Sequence, residues 1–542
     1  MGPHAARPSI PGLDSISCMI VFDNNTVPVS NESSAEEAYY CEEIGWEQGE
    51  QGNAGPRGPA GNEQPRGWRV RAAERVFGRT RIMYRPLTRR RFLVRGGQAA
   101  VGAGLAGSLL AGCGGGSEGG GPVTMWSNLE GAEAQNYFTN NIEKPFEKAN
   151  EGTKLDVTFQ PPAEIDRLVR TALQGGEGPD IIPTPGPAYA GEYIDANLFA
   201  ELDDYVGRYK WDDKLLGWAL DLGRSEGKLY AIPYQLQTML LYFNRTLFEE
   251  MGLRAPKDRD ELEGLAEELN GQGIVPFAAG IGDEPAAVEW FPTVFWNHFS
   301  GPQALYEALS GETPFSDAVF VDAIELFNGY VQKGWFGGSR EKFFSNGFDA
   351  LHADFGDGKA AMNIEGSWFM ASAVDFFGQK AGNENEWDWA PLPPMQSGVP
   401  QELYALGIGS TISVNARSAN TDGAASFIDY LVADKERAAE YMAAIPSAFN
   451  SPLPFEDGDF PGSMDERVRR QLVSLSQATD KGNFGYTNWT FWPSKSTVYI
   501  QEEIQKVLTG KMTAAEYCEG LAGVFDEERK EGLVPKIIKP GA

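Results

Sequence analysis

The sequence is poor in the side chains that bind metals or form disulfides. Its 542 residues include four cysteines and three histidines. Neither set is spaced like the ligands of a zinc site or like the frame of a disulfide-rich domain. We therefore expect no metal, no cofactor and no disulfide, and we expect Cys518 to be a small buried residue on a C-terminal helix.

Positive charge is scarce as well. The chain has 46 Lys and Arg against 76 Asp and Glu, which gives a net charge of −30. So acidic a surface repels phosphate backbones and argues against a nucleic-acid partner. An acidic ligand would need a local basic pocket, and no basic cluster follows residue 113. A neutral or cationic ligand is the better expectation.

An apolar run near the N-terminus is too short to span a membrane. Residues 96–110 are rich in Gly, Ala and Leu, but about 15 residues fall short of the ~20 that a bilayer requires. Arg89 and Arg90 precede this run, and Leu-Ala-Gly-Cys ends it at residues 110–113. A basic segment, a short apolar segment and small residues, in this order, are typical of an export signal. A transmembrane anchor is the alternative.

The details of this segment indicate an exported, lipid-anchored protein. Arg89 and Arg90 resemble a twin-arginine signal, and residues 110–113 resemble a lipobox in which the thiol of Cys113 takes a diacylglycerol. Because an export signal stands at the start of a protein, we predict that Met83 is the true start. The expected order is a non-native or disordered extension at 1–82, the signal peptide at 83–112 and a Gly/Ser linker at 113–121.

Hydrophobic periodicity beyond residue 121 predicts an α/β fold. Strands are predicted at 123–128, at 154–160 and from residue 180, with helices at 132–150 and 164–173 between them. This β-α-β-α-β order favours a parallel sheet. A second α/β part follows, and neither a repeat nor a clean linker separates the two. Two lobes between which the chain crosses more than once would explain this pattern.

Five local patterns follow one another behind the leader. They are 175–182 with its Gly-Pro-Asp, 227–234 followed by Leu-Tyr-Phe-Asn, 355–362 leading into Gly-Ser-Trp, 443–447 and 509–513. Each pattern is weak alone. In this order, and behind a lipoprotein leader, they resemble the family 1 extracellular solute-binding proteins of ABC importers.

The resemblance implies an α/β, two-lobed, type II periplasmic-binding-protein fold with three hinge crossovers. The ligand would lie in the cleft, and the lobes would close around it by hinge bending. Hinges are expected near 235–238, 403–407 and 445–450. The implied lobes are 122–235 with 407–446, and 238–403 with 450–542.

The resemblance also implies which residues hold the ligand. A sugar has apolar C–H faces, which aromatic rings cover, and a rim of hydroxyl groups, which polar side chains bind. Matched with the family segment by segment, the expected ligand contacts are Trp126, Asn128, Thr184, Tyr189, Gln235, Gln237, Glu289, Trp290, Phe291, Trp368, Trp489 and Trp492. For each tryptophan the alternative is a place in the core, which is the commoner fate of this residue.

The function that the resemblance implies is that of a receptor and not of an enzyme. The chain would capture a sugar or oligosaccharide outside the cell membrane, as a monomer anchored through lipid on Cys113, and deliver it to ABC permease subunits. Two alternatives stay open. The same fold could bind a polyamine or another cationic solute, since aromatic rings also hold cations. A secreted glycoside-processing enzyme would need two tuned carboxylates in the cleft, which the spacing of acidic residues does not exclude.

Overall fold

The computed structural model describes residues 121–129, 131–161, 164–446 and 450–541. The expected extension at 1–82, the signal peptide with Arg89 and Arg90, and the lipid attachment point Cys113 lie outside the described residues. Of the expected linker at 113–121, only Gly121 is described.

Strands and helices alternate from the start of the described chain, as the periodicity of its apolar residues predicts. The strands are β1 Val123–Ser127, β2 Leu155–Phe159, β3 Ile181–Thr184, β4 Arg224–Ser225, β5 Lys228–Leu229, β6 Ala231–Gln237, β7 Met239–Asn244, β8 Val275–Ala278, β9 Ala360–Gly366, β10 Trp387–Ala390, β11 Tyr404–Val414 and β12 Phe484–Tyr486.

Several helices begin at a side chain that accepts a backbone hydrogen bond. Asp258 accepts from the backbone N–H of Glu261 at 2.9 Å, and Thr513 and Glu516 form a capping box. Within the described residues, no helix has both the length and the apolar composition needed to cross a membrane. The α-helices are α1 Ala132–Phe138, α2 Lys144–Ala149, α3 Ile165–Gly175, α4 Pro187–Asp195, α5 Asp203–Tyr209, α6 Trp211–Lys214, α7 Gly217–Asp221, α8 Arg245–Met251, α9 Arg259–Gly271, α10 Trp290–Phe295, α11 Pro302–Leu309, α12 Ala318–Gln332, α13 Arg340–Ser345, α14 Phe348–Gly356, α15 Phe369–Ser372, α16 Thr421–Val432, α17 Lys435–Ala444, α18 Glu466–Asp480, α19 Asn488–Phe491, α20 Ser494–Leu508 and α21 Ala514–Lys530.

The first lobe is built on a six-stranded sheet in the order β12-β11-β3-β1-β2, with β6 also paired to β11. β1 runs parallel to β2 and to β3, which confirms the parallel β-α-β-α-β unit predicted from the sequence. β11 runs antiparallel to β3 and to β6. The carboxyl ends of β1, β2 and β3 therefore lie at one edge of this sheet, which is where α/β proteins commonly bind ligands.

The second lobe is built on a four-stranded sheet in the order β10-β7-β9-β8. β9 is antiparallel to β7 and parallel to β8, and all seven of its residues are buried. α9 and α14 pack against β8, while α12 packs against α10, α20 and α21. The sheet is thus covered by helices, as a strand that is buried on both faces requires.

Three segments connect the lobes and lie side by side. The first is Thr238, between β6 and β7, and the second leads from β10 into β11, where Gly407 pairs with Gln237. The third follows α17. Its Asn450 accepts from the backbone N–H of Leu236 at 2.5 Å and donates from Nδ2 to the Leu236 carbonyl at 3.2 Å. These bonds bring the three crossing segments together at β6.

The first crossing contains a residue with a strained backbone. Gln235 lies within β6 and has a φ of 63°, in the left-handed region that favours glycine. Such a conformation costs a residue with a Cβ about 1–2 kcal/mol. The pairing of β6 with β11 on both sides of Gln235 holds it in place, at residues 234 and 236.

β12 and α19 lie against both lobes. Both lie within 450–542, which the resemblance assigned to the second lobe. β12 pairs with the start of β11 in the first sheet, and α19 packs against α4 and β11. Tyr486 of β12 also bonds to Asn297, and Asn488 of α19 to Glu289, in the second lobe. The expected boundary therefore stays a prediction.

Cys518 is buried on α21, as predicted. Burial raises the pKa of its thiol to about 12. Because the thiolate is the reactive form, this cysteine is chemically inert near neutral pH.

Candidate functional site

Aromatic rings carried by the two lobes meet in one cluster. Trp489, on α19, contacts Trp368, which follows β9, with ring centroids 6.0 Å apart and planes at 66°. Trp368 lies 5.0 Å from Trp290, and Trp290 stacks on Phe348 at 6.0 Å. α19 is attached to the first lobe and the other rings belong to the second, so the lobes touch here. We call Trp290, Trp368 and Trp489 the tryptophan cluster.

Two glycines let the backbone of the first lobe approach Trp489. A Cβ at Gly186, where φ is 115°, would lie 2.7 Å from the carbonyl oxygen of Ile408 and 3.7 Å from Cδ1 of Trp489. A Cβ at Gly407 would lie 3.3 Å from Cζ2 of the same ring. Cδ1 and Cζ2 flank the indole nitrogen. The N–H edge of Trp489 is therefore bordered by glycine backbone.

The indole N–H of Trp489 has no acceptor in the described part of the chain. The side chain is buried, and none of the described residues places an acceptor within hydrogen-bond distance of Nε1; the same holds for Nε1 of Trp492. A buried donor without an acceptor costs about 1–3 kcal/mol. An oxygen atom placed beside Nε1 would remove that cost.

The indole N–H of Trp368, in contrast, is bound within the second lobe. Its Nε1 donates to Oε1 of Glu365 at 3.1 Å. The other carboxylate oxygen accepts from Nδ2 of Asn363 at 2.6 Å and lies 2.7 Å from Nε2 of His352. Asn363 and Glu365 are two residues apart on β9 and therefore share one face of the strand. The second lobe thus holds a buried carboxylate that polar groups surround.

A second buried carboxylate, that of Glu289, links the two lobes. Its Oε2 accepts from Nδ2 of Asn488 at 2.7 Å and from Nε2 of Gln501 at 2.6 Å. Nε2 of Gln501 also lies 3.4 Å from the hydroxyl of Tyr189, on α4 of the first lobe. Burial raises the pKa of Glu289 to about 7, against the opposing effect of the two amide donors. Glu289 is therefore partly protonated near neutral pH.

The side chains of Thr184 and Gln237 make their contacts within the first lobe. Oγ1 of the buried Thr184 lies 2.5 Å from Oγ1 of Thr411 and donates to the carbonyl of Gly186 at 3.2 Å. The side chain of Gln237 packs over Gly409, where a Cβ would lie 2.2 Å from its Cδ. Thr184 therefore holds the backbone at Gly186, and Gln237 covers the backbone at Gly409. Gln235, the third polar residue expected here, is half-buried beside Gln237.

Trp126 and Asn128 lie at the carboxyl end of β1. Trp126 is half-buried and packs against the apolar cluster of Ile165, Val169 and Tyr193 in the first lobe. Asn128 is half-buried directly after the strand. In the described part of the chain, no ring contact joins Trp126 to the tryptophan cluster, so the structure does not bring these two groups together.

Phe291 lies in the core among rings of the second lobe, and its expected contact with a ligand stays a prediction. It packs on Phe327 at 5.3 Å and on Phe336 at 5.2 Å. The reason is its position next to Trp290 on α10. Consecutive residues of an α-helix point about 100° apart, so only one of the two can reach the tryptophan cluster. That residue is Trp290.

Trp492 also lies in the core, and its expected ligand contact likewise stays a prediction. The ring is fully buried and stacks on Trp296 at 6.2 Å. On a continuous helix, Trp492 would share a face with Trp489, three residues before it. But α19 ends at Phe491, and Trp492 has an extended backbone with φ −97° and ψ 145°. The end of the helix turns its side chain away from the cluster.

Sequence reasoning missed the polar residues that hold the site together. Two of them carried a signal, since Asn363 and Glu365 interrupt an apolar strand at a spacing of two. Polar residues on one face of a buried strand require partners and so indicate a polar site. Asn488 and Gln501 gave no such signal, because they reach Glu289 from 199 and 212 residues farther along the chain.

The arrangement suits a ligand with flat apolar faces and a polar rim. Trp290 and Trp368 offer ring surfaces, and Trp489 offers both a ring and an unused N–H. Such surfaces pack against C–H groups, while single donors and acceptors fix the orientation of the bound molecule.

Comparisons with known sequences agree with this geometry. A family model described as bacterial extracellular solute-binding protein matches residues 129–438. The alpha-glucosides-binding periplasmic protein AglE of Rhizobium meliloti is 25% identical over 302 residues, which are 52% of this chain and 63% of the relative. The multiple sugar-binding protein of Streptococcus mutans is 26% identical over 274 residues, 45% of this chain and 59% of the relative. The chain therefore spans less than two thirds of the length of either relative.

Solved structures show the same architecture. A structure from a study of xylan utilization by Caldanaerobius polysaccharolyticus matches with a TM-score of 0.64 at 20% identity, over 74% of this chain and 99% of its own. A chitin oligosaccharide binding protein matches with a TM-score of 0.62 at 20% identity, over 75% of this chain and 98% of its own. These likenesses confirm the two-lobed α/β fold that was predicted from the sequence.

Proposed function

Since the chain belongs to the family of bacterial extracellular solute-binding proteins, we propose that it captures a sugar or oligosaccharide between its two lobes and delivers it to the permease of an ABC importer. Membership of an extracellular family implies a location outside the cytoplasm. The relatives named above are binding proteins. On this basis the chain binds its solute and releases it without chemical change.

The tryptophan cluster is the observation that carries this proposal. Trp368 and Trp489 come from different lobes and meet with ring centroids 6.0 Å apart. Opening of the hinges would separate the two rings and admit a flat molecule between them. Ring faces of tryptophan cover the C–H faces of a sugar, and the N–H of Trp489 suits a sugar hydroxyl.

The proposed moving parts follow the crossing segments. The first lobe comprises 122–235 and 407–446, together with β12 and α19, and the second lobe comprises the rest of 238–403 and 450–542. The hinges lie where the three crossings meet at β6, near residues 235–238, 403–407 and 445–450. In this scheme Glu289 and Tyr189 approach each other only when the lobes are closed.

The proposed attachment to the membrane rests on the leader sequence. Export would use Arg89 and Arg90, and the chain would be held as a monomer by lipid on Cys113 after cleavage of the signal peptide. Intact-mass measurement of the protein purified from its own membrane tests this. We expect a mass that corresponds to a diacylated chain starting at Cys113. A species that still contains residues 1–82 would contradict both the start at Met83 and the cleavage.

A ligand screen tests the proposed binding. The protein would be heated with maltotriose, raffinose, N,N′-diacetylchitobiose or spermidine, and the melting temperature compared with that of the free protein. A ligand that binds only the folded state stabilises it by RT ln(1 + [L]/Kd). We expect at least one of the sugars to raise the melting temperature, and spermidine to leave it unchanged.

Each other outcome points to a different function. Stabilisation by spermidine alone would support the cationic-solute alternative. Cleavage of a stabilising sugar, followed by chromatography, would show a glycoside-processing enzyme. If no sugar raises the melting temperature while the protein remains folded, the proposed substrate class is wrong for these sugars.

A further inference from the structure

We propose that Glu365 is a positioning residue for ligand recognition, which fixes the indole of Trp368 so that one face of the ring is held ready for a sugar. This inference rests on the proposed function. It concerns a residue that is not expected to touch the ligand. Its basis is the geometry around β9.

Both oxygens of the Glu365 carboxylate are engaged by the second lobe. Oε1 accepts from Nε1 of Trp368 at 3.1 Å, and Oε2 accepts from Nδ2 of Asn363 at 2.6 Å and lies 2.7 Å from Nε2 of His352. The residue is 4% exposed. A buried carboxylate is costly unless it is bound by donors, so the site needs all of these partners. Asn363 and His352 thereby fix the carboxylate that fixes Trp368.

The ring of Trp368 is held at one edge and on one face. Its pyrrole edge carries the N–H that binds Glu365. One face of its benzene ring lies against Gly366, where a Cβ would be 2.1 Å from Cζ3 and 2.3 Å from Cε3 and Cη2. Glycine at this position leaves the room that the ring occupies, and the carboxylate sets its direction. The ring therefore cannot turn without breaking the bond to Glu365.

His352 is itself held by rings of the second lobe. It stacks on Phe348 with centroids 6.0 Å apart and lies 4.9 Å from Phe369. Phe348 in turn stacks on Trp290 of the tryptophan cluster. His352 and Phe348 therefore connect the Glu365 carboxylate to the tryptophan cluster, so the orientation of Trp368 depends on the packing of the cluster.

The contrast with Trp489 shows what the carboxylate does. Trp489 has no acceptor for its N–H among the described residues, whereas the N–H of Trp368 donates to Oε1 of Glu365. The N–H of Trp368 is therefore already bonded within the second lobe, which leaves the face of its ring for a ligand.

The first arm of the test needs no ligand. Indole ¹H–¹⁵N spectra would be recorded for the protein, which has 13 tryptophans, and the peak of Trp368 would be assigned with Trp368→Phe. Glu365→Gln keeps the shape of the side chain but offers one neutral acceptor oxygen. We expect the Trp368 peak to shift, and its N–H to exchange with solvent about tenfold faster, which corresponds to about 1.4 kcal/mol.

A matched control separates this effect from a general loss of a carboxylate. Glu263, also in the second lobe, accepts from the hydroxyl of Tyr330 at 2.8 Å and from Nε of Arg259 at 2.6 Å. These contacts lie outside the tryptophan cluster. Glu263→Gln should leave the Trp368 peak in place. If Glu365→Gln also leaves it in place, Glu365 does not fix the ring and the inference is wrong.

The second arm measures binding in a double-mutant cycle. Maltotriose, raffinose and N,N′-diacetylchitobiose would each be titrated by calorimetry into the protein, Glu365→Gln, Trp368→Phe and the double variant. We expect Glu365→Gln alone to weaken binding about tenfold. In the Trp368→Phe background there is no N–H left to position, so the same change should weaken binding less than about twofold.

The outcomes distinguish this inference from the proposed function. If Glu365→Gln weakens binding equally in both backgrounds, or not at all, the inference is wrong although the receptor function stands. If none of the three sugars binds the unchanged protein, the proposed function fails for them, and the indole spectra alone decide whether Glu365 fixes Trp368. A lower melting temperature of Glu365→Gln with unchanged binding and an unchanged Trp368 peak would show a structural role only.

Discussion

The two lobes contribute to the candidate site in different ways. The second lobe brings rings and carboxylates whose polar groups are already bound, such as Trp368 on Glu365. The first lobe brings backbone at Gly186 and Gly407, and with Trp489 a buried N–H that no described residue accepts. The polar groups of the second lobe are therefore bonded before a ligand arrives, whereas the N–H of Trp489 on the first lobe still lacks an acceptor.

This difference assigns separate roles to the lobes. A pre-formed surface reduces the ordering that binding requires, because the rings need not be immobilised by the ligand. A donor without a partner favours the state in which a ligand supplies one. We infer that the second lobe provides most of the contact area for the ligand. The first lobe would orient the ligand through a hydrogen bond, and this bond would favour the closed state.

The largest effect is expected at Glu289, which joins the two halves. Burial raises its pKa from 4.5 to about 7, so ionisation costs free energy in the folded protein. The stability that comes from neutral Glu289 is complete below pH 4.5 and is lost as the pH rises through 7. Glu289→Gln cannot ionise. We expect its free energy of unfolding, relative to the unchanged protein, to rise by about 3 kcal/mol between pH 4.5 and pH 8.

Denaturant unfolding of both proteins at the two pH values measures this. Every other titrating group is common to both, so the difference isolates Glu289. A relative stability that does not change with pH would show that the pKa of Glu289 is not raised in the folded protein, which contradicts its burial between the lobes.

Trp368→Ala tests the pre-formed surface of the second lobe. The loss of one stacking ring should weaken binding of the stabilising sugar by about ten- to hundredfold, or about 1–3 kcal/mol. Calorimetric titration gives the dissociation constant. Trp335→Phe is a suitable control, because Trp335 packs on Tyr330 at 4.8 Å and outside the cluster. Equal affinities of Trp368→Ala and the unchanged protein would remove Trp368 from the site.

Trp489→Phe tests the single donor of the first lobe. The substitution keeps an aromatic ring but removes the N–H, so one hydrogen bond to the ligand is lost. We expect binding to weaken by about fivefold, near 1 kcal/mol. A dissociation constant equal to that of the unchanged protein would reverse the assignment of Trp489 to the site.

Trp492→Phe should have the smallest effect on binding. Trp492 packs on Trp296 and Phe315 in the core, three residues from Trp489. We expect a lower melting temperature, because a buried ring loses volume, and a dissociation constant within about twofold of the original. A loss of affinity as large as that of Trp489→Phe would return Trp492 to the site and remove the contrast between the two residues.

The sequence was sufficient for the fold but only partly for the site. The strands β1, β2 and β3 follow from local apolar patterns, which can be recognised without knowledge of distant contacts. The order of five motifs supplied the two lobes. The edge of the first sheet was not foreseeable in the same way, because β12 joins β11 from about 80 residues away, beyond any local signal.

The site shows the same limit at the level of single residues. The Gly-x-Trp turn predicts Trp368, the acidic-aromatic helix start predicts Trp290 together with Phe291, and the C-terminal aromatic cluster predicts Trp489 together with Trp492. What separates Trp290 from Phe291 is the direction of each side chain on α10, and what separates Trp489 from Trp492 is the end of α19. Both depend on helix phase and helix ends, which are the least predictable features of a sequence.

The central claim is that a sugar lies between the two lobes, against Trp368 and within reach of Trp489. A crystal structure of the protein with whichever of maltotriose, raffinose and N,N′-diacetylchitobiose stabilises it most tests this directly. The account predicts a sugar ring packed on the face of Trp368, with a hydroxyl oxygen at hydrogen-bond distance from Nε1 of Trp489. A sugar bound away from the tryptophan cluster, with both indoles unchanged, would contradict it.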